Sequence, residues 1–334
     1  MGNRMATLPR NITIIDLGGT ITSESSGSTD EFYESSSLNI ETIYKTLPLP
    51  KRFKIEVHQP FKLLSQDITN NDLIKFAMFL TDLVDTDVDG FVVAMGTNAM
   101  EEVSFFINIL LKTKKPIIFT GSIRQANALG YEGGRNLYNA ILLAASQECY
   151  GYGVLVCVND MIYSARDFIK LNPSFIDAYS SNIYGPLGYV LGGLIKLCYQ
   201  PNFIHTATTP FHVNRIRMNF PKTCVIYGVL GEQSFFLDSA IENKVDGIVS
   251  AGLGKGYQPK TVMQALQKAS ELGIFVVRCS RSGMGVVHFD ENTDRKFGFI
   301  AGYSFSPAKA KILLEVALCH TKNKKELQKI FTEF

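Results

Sequence analysis

Short apolar runs rich in β-branched residues alternate along this chain with longer stretches of helical periodicity. "NITIID" runs into a Gly-Gly-Thr turn, and "GFVVAM" leads through Gly96-Thr97-Asn98 into a helical pattern over residues 99–112. "KPIIFTG" precedes a long loop and the helical "NLYNAILLAAS", after which comes "GYGVLVCVND". Strands buried on both faces read as such continuous apolar runs, and the helices between them supply the crossovers that parallel pairing needs. The expected fold is therefore α/β, a mostly parallel sheet flanked by helices. Ligands in such sheets sit beyond the carboxyl ends of the strands. The turns that follow these runs are thus the places to look for chemistry.

At 334 residues the chain exceeds one ordinary domain. Between about 172 and 222 the rhythm weakens while Pro, Gly, Asn and Tyr accumulate, which reads as a hairpin-bearing region and a linker. The rhythm resumes with "CVIYGVL", "VDGIVSAGLG", the helix "PKTVMQALQKASELG", "IFVVRCS" and a last helix "SPAKAKILLEVALCH". The expected organisation is a large N-terminal catalytic domain over 1–200, a linker over 201–222 and a smaller C-terminal α/β domain over 223–334. No internal repeat at a fixed period is evident.

Composition removes several function classes. With 46% hydrophobic and 19% charged residues the chain can bury a sizeable core. A net charge of +2, with one short basic run from Lys322 to Lys325 that suits a solvated helix face, gives no support for a nucleic-acid or membrane surface. No segment has 18 consecutive apolar residues, and "MGNRMATLPR" has no apolar h-region. The six cysteines are scattered without a CxxC, several in strand-like runs where cysteine serves as a small core residue, so a reducing cytoplasm is expected. The five histidines show no HxxxH or HxH spacing, and no metal or organic cofactor is expected. The glycine cluster "AGLGKG" fails as a phosphate loop: Leu253 stands where the loop needs lysine, and Tyr257 where a GxGxxG needs glycine.

Four features remain at strand ends. Thr20 follows two glycines that allow a sharp turn, leaving either an exposed rim hydroxyl or a simple turn threonine. Thr97-Asn98 precedes a helix opened by Glu101 and Glu102; one of the two is expected to be its N-cap, a role compatible with catalysis. Lys170, just after "VLVCVND", is either solvated or, if partly buried beside a threonine hydroxyl, a base. The Ser-rich stretch 22–37 is either a flexible surface loop or a lid.

Taken together, these segments resemble the bacterial-type L-asparaginase/glutaminase family. "NITIIDLGGTITSE" and "GFVVAMGTNAMEE" look like its two threonine motifs, and "PIIFTGSIRQANALGYEGGRNLYNA" like its central segment. "VNDMIYSARDFIKLNPSFIDAYSSNIYGPLGYV" looks like its lysine-bearing stretch; "DGIVSAGLGKGYQPKTVMQAL" and "KFGFIAGYSFSPAKAKILLEVAL" look like its C-terminal domain. The resemblance spans nearly the whole chain in the family's order. It implies that Thr20 attacks the substrate amide to form an acyl-enzyme, aided by Tyr33 in the lid, and that Thr97 and Lys170 are two members of a Thr-Lys-Asp triad. It further implies that Ser65 and Gln66 hold the substrate carboxylate and that Glu291 reaches the substrate amino group in a neighbouring subunit; for such a reaction, backbone N–H groups around Gly19 and the 96–98 turn are the candidates for oxyanion stabilisation. The implied assembly is a homotetramer, a dimer of dimers, acting on a small-molecule amide or amino acid.

The departures are equally specific. Asn98 stands where the triad has aspartate, Lys255 and Tyr257 occupy a turn that often holds asparagines, and "YEGG" with Glu132 replaces "ADGP". A neutral amide at 98 cannot hold Lys170 as a cation or pair with a substrate ammonium, although it can still orient Thr97 and Lys170 by hydrogen bonds. Three readings follow: an asparaginase-type amidohydrolase acting on L-asparagine or L-glutamine, an amidase for a related amide lacking the α-ammonium group, and a non-catalytic amino-acid-binding homologue.

Overall fold

The computed structural model describes residues 10–29, 38–216, 220–231 and 234–334, and the chain divides into two compact units between Thr209 and Pro210.

In the first unit β1 (Arg10–Asp16), β2 (Phe53–His58), β3 (Gly90–Ala94), β4 (Ile117–Thr120) and β5 (Val154–Val158) pair in parallel in the order β2-β1-β3-β4-β5. Every residue of β3, β4 and β5 is buried, as strands covered on both faces require. The connections carry α1 (Ile40–Tyr44), α2 (Asn70–Val84), α3 (Met100–Leu110) and α4 (Gly133–Ala144). Leu137, Ala140, Ile141 and Ala144 recur at helical spacing on α4 and pack on Ile14, Val92, Ile118 and Leu155 of the sheet. Each large aliphatic side chain so buried contributes about 1.5–3 kcal/mol.

After β5 the direction changes. β6 (Met161–Ser164) returns antiparallel to β5, and β7 (Phe168–Lys170) forms a separate antiparallel pair with β8 (Tyr179–Ser181). The hairpin β9 (Gly188–Leu191)–β10 (Leu194–Leu197) then extends the main sheet through β6. Its turn is Gly192-Gly193, both at positive φ, as a two-residue hairpin turn of the primed type demands.

The second unit opens with α5 (Val213–Ile216) and carries a parallel sheet of β11 (Thr223–Tyr227), β12 (Gly247–Gly252), β13 (Phe275–Ser280) and β14 (Ile300–Ala301), in that order. Helices α6 (Phe235–Glu242), α7 (Lys260–Glu271), α8 (Pro307–Leu318) and α9 (Lys324–Glu333) complete it. Val262, Leu266 and Ala269 of α7 pack on Ile248 and Val276. Arg278 is 2% exposed and is held by Asp294 through two hydrogen bonds of 2.7 and 2.6 Å.

Two expectations are corrected. The helix beginning at Ser306-Pro307 is not the last, because α9 follows it. Asn323 caps α9 by accepting from the Lys325 and Glu326 N–H groups, so the short basic run is the cap and first turn of this helix. Lys170, expected just after the strand "VLVCVND", lies beyond a further strand, β6, and ends β7 of the small antiparallel pair.

Candidate active site

β1 lies between β2 and β3, so the strand order reverses at the β1–β3 boundary, where the outgoing loops diverge and open a crevice. The two strands end level, with Asp16 opposite Ala94. Beyond β1, Asp16 is 1% exposed; its carboxylate accepts from Gly18 N at 2.9 Å and Gln59 Nε2 at 2.9 Å, pinning the turn. Burial raises the Asp16 pKa, against the pull of these hydrogen bonds. Gly19 has φ 97°, and a Cβ there would sit 2.2 Å from Gly96 N. Only glycine lets the two strand-end loops touch, and this contact places Thr20, at the start of the single 3₁₀ turn Thr20–Thr22, beside the 96–98 turn.

Beyond β3 the expected cap does not form. The N-cap of α3 is Ala99, with no side-chain cap, and the Ala99 N–H donates to Ser65 Oγ at 3.3 Å. A residue 34 positions away does the capping, which leaves Thr97 and Asn98 for other contacts. Lys170 Nζ donates to Thr97 Oγ1 at 2.8 Å and to Asn98 Oδ1 at 3.2 Å, and Asn98 Nδ2 donates to Gln66 Oε1 at 3.3 Å. Burial pushes the Lys170 amine below the ordinary lysine range. A lysine of lowered pKa bonded to a buried threonine hydroxyl can accept a proton relayed through that hydroxyl.

Gly19, Thr20, Ser65, Gln66, Thr97, Asn98 and Lys170 line one cavity of about 870 Å³. Seven of the nine residues singled out in the sequence are thereby brought together. Tyr33 lies outside the described residues. Glu291 is in the second unit, at the start of a π-helical turn, with its carboxylate 2.6 Å from Arg295 Nε. Among the described residues no group of His, Cys, Asp and Glu is arranged to hold a metal ion.

Sequence reasoning passed over Arg124 and the Pro173–Ile176 segment, which also line the cavity. Arg124 follows β4 at the same rim, so the strand-end rule alone would have found it. Glu132 accepts the N–H groups of Ile123 and Arg124, and Asn136 bridges Gly121 O (2.9 Å) and Asn159 N (2.8 Å), so the first turn of α4 shapes this wall. The Ser-rich excursion is tied at its base: Leu38 N donates to Thr22 O, Ala126 N to Ser23 O and Leu129 N to Ser28 O. Ser25 and Asn127 exchange two further hydrogen bonds.

Residues 11–203 match the family model described as asparaginase, N-terminal, and residues 222–331 match the glutaminase/asparaginase C-terminal domain. A probable periplasmic L-asparaginase of Haemophilus influenzae is 35% identical over 331 residues, 98% of this chain and 94% of that protein. The glutaminase-asparaginase of Pseudomonas fluorescens biotype A is 33% identical over 329 residues, covering 97% and 90%. The crystal structure of a probable cytoplasmic L-asparaginase from Campylobacter jejuni superposes with a TM-score of 0.93 at 30% identity, covering 97% of this chain and all of that one. These relatives carry names for two different compartments, and among the described residues no helix is long and apolar enough to cross a membrane. Two matched domains in order, over a sheet whose switch point gathers the threonine and lysine side chains, mean that the chain belongs to the asparaginase/glutaminase family of amidohydrolases.

Proposed function

We propose that the chain hydrolyses the side-chain amide of L-asparagine or L-glutamine through a threonine acyl-enzyme. Thr20 Oγ1 attacks the amide carbon, and its proton passes to the departing nitrogen as the C–N bond breaks and ammonia leaves. Water then adds to the ester, its proton passing through Thr97 Oγ1 to Lys170 Nζ; as the C–O bond to Thr20 breaks and the acid leaves, that proton returns to the Thr20 oxygen and both side chains are regenerated. Backbone N–H groups around Gly19 and the 96–98 turn receive the developing oxyanion. Ser65 and Gln66 hold the substrate carboxylate, and Tyr33 assists the attack. The single observation that carries this reading is that Thr20 and the Thr97–Lys170 pair face one cavity at adjacent strand ends. The scheme calls on no metal or organic cofactor.

The same reading places the protein in a reducing cytoplasm, where its free cysteines stay reduced. It also gives it a dimer-of-dimers assembly in which Glu291 of each subunit completes a neighbour's site. Purified protein is expected to release ammonia from asparagine or glutamine and, with hydroxylamine present, to divert the acyl group to the hydroxamate. Failure to release ammonia from either, or from simpler amides, would refute the proposal, as would an active Thr20→Ala variant.

A further inference from the structure

Tyr179 opens β8 directly across from Lys170, the last residue of β7. Residues opposite one another in an antiparallel pair carry their side chains on the same face, so this tyrosine stands beside the lysine that reaches Thr97. Its ring stacks on Phe168 at a centroid distance of 5.4 Å, and the residue is 7% exposed. Phenylalanine would pack as well. The hydroxyl is buried and has no hydrogen-bond partner among the described residues, which costs stability and calls for another reason to keep it. Burial raises its pKa, the adjacent Thr97 hydroxyl pulls the other way, and the charge of Glu132 adds to the rise. Tyr179 therefore stays protonated, an O–H donor beside Thr97 but not bonded to it in the resting arrangement.

The needs of Thr97 change when the relay runs. At rest its Oγ1 accepts from Lys170 Nζ at 2.8 Å. For Lys170 to act as a base, its nitrogen must become the acceptor. Nζ can keep its donation to Asn98 Oδ1, at 3.2 Å, while its lone pair takes the Thr97 proton. A hydroxyl has one proton and two lone pairs, so with the proton aimed at Nζ both lone pairs of Oγ1 are open. The water that attacks the ester gives its proton to one. The other is free for a donor, and negative charge gathers on Oγ1 as its own proton leaves. A hydrogen bond there is stronger in the transition state than before it, which is what lowers a barrier.

We propose that Tyr179 is a positioning residue for deacylation, its hydroxyl donating to Thr97 Oγ1 while Thr97 passes its proton to Lys170. The assignment rests on the amidohydrolase reading and deepens it. Tyr179 touches neither substrate nor water and acts through Thr97. The water proton goes to Thr97, the Thr97 proton goes to Lys170, and Tyr179 keeps its own.

The test supplies hydroxylamine with asparagine or glutamine to the full chain and to Tyr179→Phe, and compares initial rates of hydroxamate and free acid formation. Hydroxylamine needs far less help from a base than water does, so loss of the tyrosine donor should slow only the water branch. The ratio of the two products does not depend on how fast the acyl-enzyme forms. In Tyr179→Phe the hydroxamate-to-acid ratio is expected to rise by roughly ten- to a hundredfold. Thermal unfolding is expected to be no lower than the parent's, because the ring is kept and an unpartnered hydroxyl is lost. In a Thr97→Val background the same change should leave the ratio where Thr97→Val alone puts it. An unchanged ratio in Tyr179→Phe overturns the assignment even if activity falls, since that marks a packing role; so does a further rise in the Thr97→Val background. A parent that hydrolyses neither amide refutes the amidohydrolase reading and this assignment with it, whereas an active parent with an insensitive ratio refutes this assignment alone.

Discussion

Gly19→Ala tests whether the site depends on contact between two strand-end loops. The added Cβ would lie 2.2 Å from Gly96 N, 2.4 Å from Gly96 Cα and 2.8 Å from the Met95 carbonyl carbon. All three are backbone atoms, so no rotamer change relieves the clash. Reaching ordinary carbon contact of about 3.5 Å requires the loops to part by roughly 1 Å. Gly19 also sits at φ 97°, ψ −177°, a conformation nearly confined to glycine, which adds about 1–3 kcal/mol of strain. For a unit of this size that strain lowers Tm by on the order of 2–4 °C per kcal/mol. Displacing Thr20 from the Thr97–Lys170 pair by 1 Å costs on the order of a hundredfold in kcat. Gly151→Ala is the control, because Gly151 has φ 76° and a methyl group added there would meet nothing within 4 Å. It is expected to lose about 1–2 kcal/mol and no activity. Thermal unfolding and ammonia release on the two variants separate strain from displacement. A Gly19→Ala protein with parental Tm and kcat refutes the reasoning, as does a Gly151→Ala protein that loses as much activity.

Lys170→Gln removes the base and is expected to cut hydrolysis by about 10²–10⁴-fold, while thermal unfolding shows no destabilisation, since a desolvated cation is lost with it. Because burial lowers the Lys170 pKa, the native state holds fewer protons than the unfolded chain between the folded and unfolded values. Its contribution to stability therefore rises with pH through that window and is least favourable below it, and hydrolysis should rise as Lys170 deprotonates. Asn98→Asp sets a carboxylate beside the amine, and its pH–rate profile should move to higher pH; an unmoved acid limb would count against Lys170 as the base. Asn136→Ala leaves Gly121 O and Asn159 N without their partner and should cost roughly 2–4 kcal/mol in urea unfolding. In the second unit Arg278→Ala strands the buried Asp294 carboxylate, with an expected loss of about 3–5 kcal/mol by the same measurement.

The elements read most clearly in the sequence were those whose period and burial agree. β3, β4 and β5 are apolar at nearly every position because both faces are covered, α3 is buried almost all round, and α4 and α7 carry apolar residues at helical spacing. β2 went unread because its residues alternate only between exposed and half-buried, at the sheet edge. β14, two residues long, is too short to show a period. α9 hid behind its cap, since "TKNKKE" reads as a charge run until Asn323 is seen to turn its side chain to the helix. The α3 cap shows how a sound local rule is overruled: Thr97 and Asn98 are good capping residues, but Ser65 arrives from another loop and takes the Ala99 N–H.

Local chemistry in the sequence was enough to specify a parallel α/β fold, glycine turns at the ends of β1 and β3, and hydroxyl and carboxamide groups at those ends. Period, β-branching and the need for glycine at positive φ act within a few residues, so they are written in short stretches of chain. The tertiary structure decided the rest. Thr97 and Lys170 stand 73 residues apart in the chain and 2.8 Å apart in space. The Asn98 carboxamide is oriented by a lysine at the end of β7 on one side and by a glutamine in the turn Ser65–Asp67 on the other. Both depend on strand order and register, which set which loop ends meet at the switch point. Whether a group donates or accepts there is a property of that meeting, and not of any one segment.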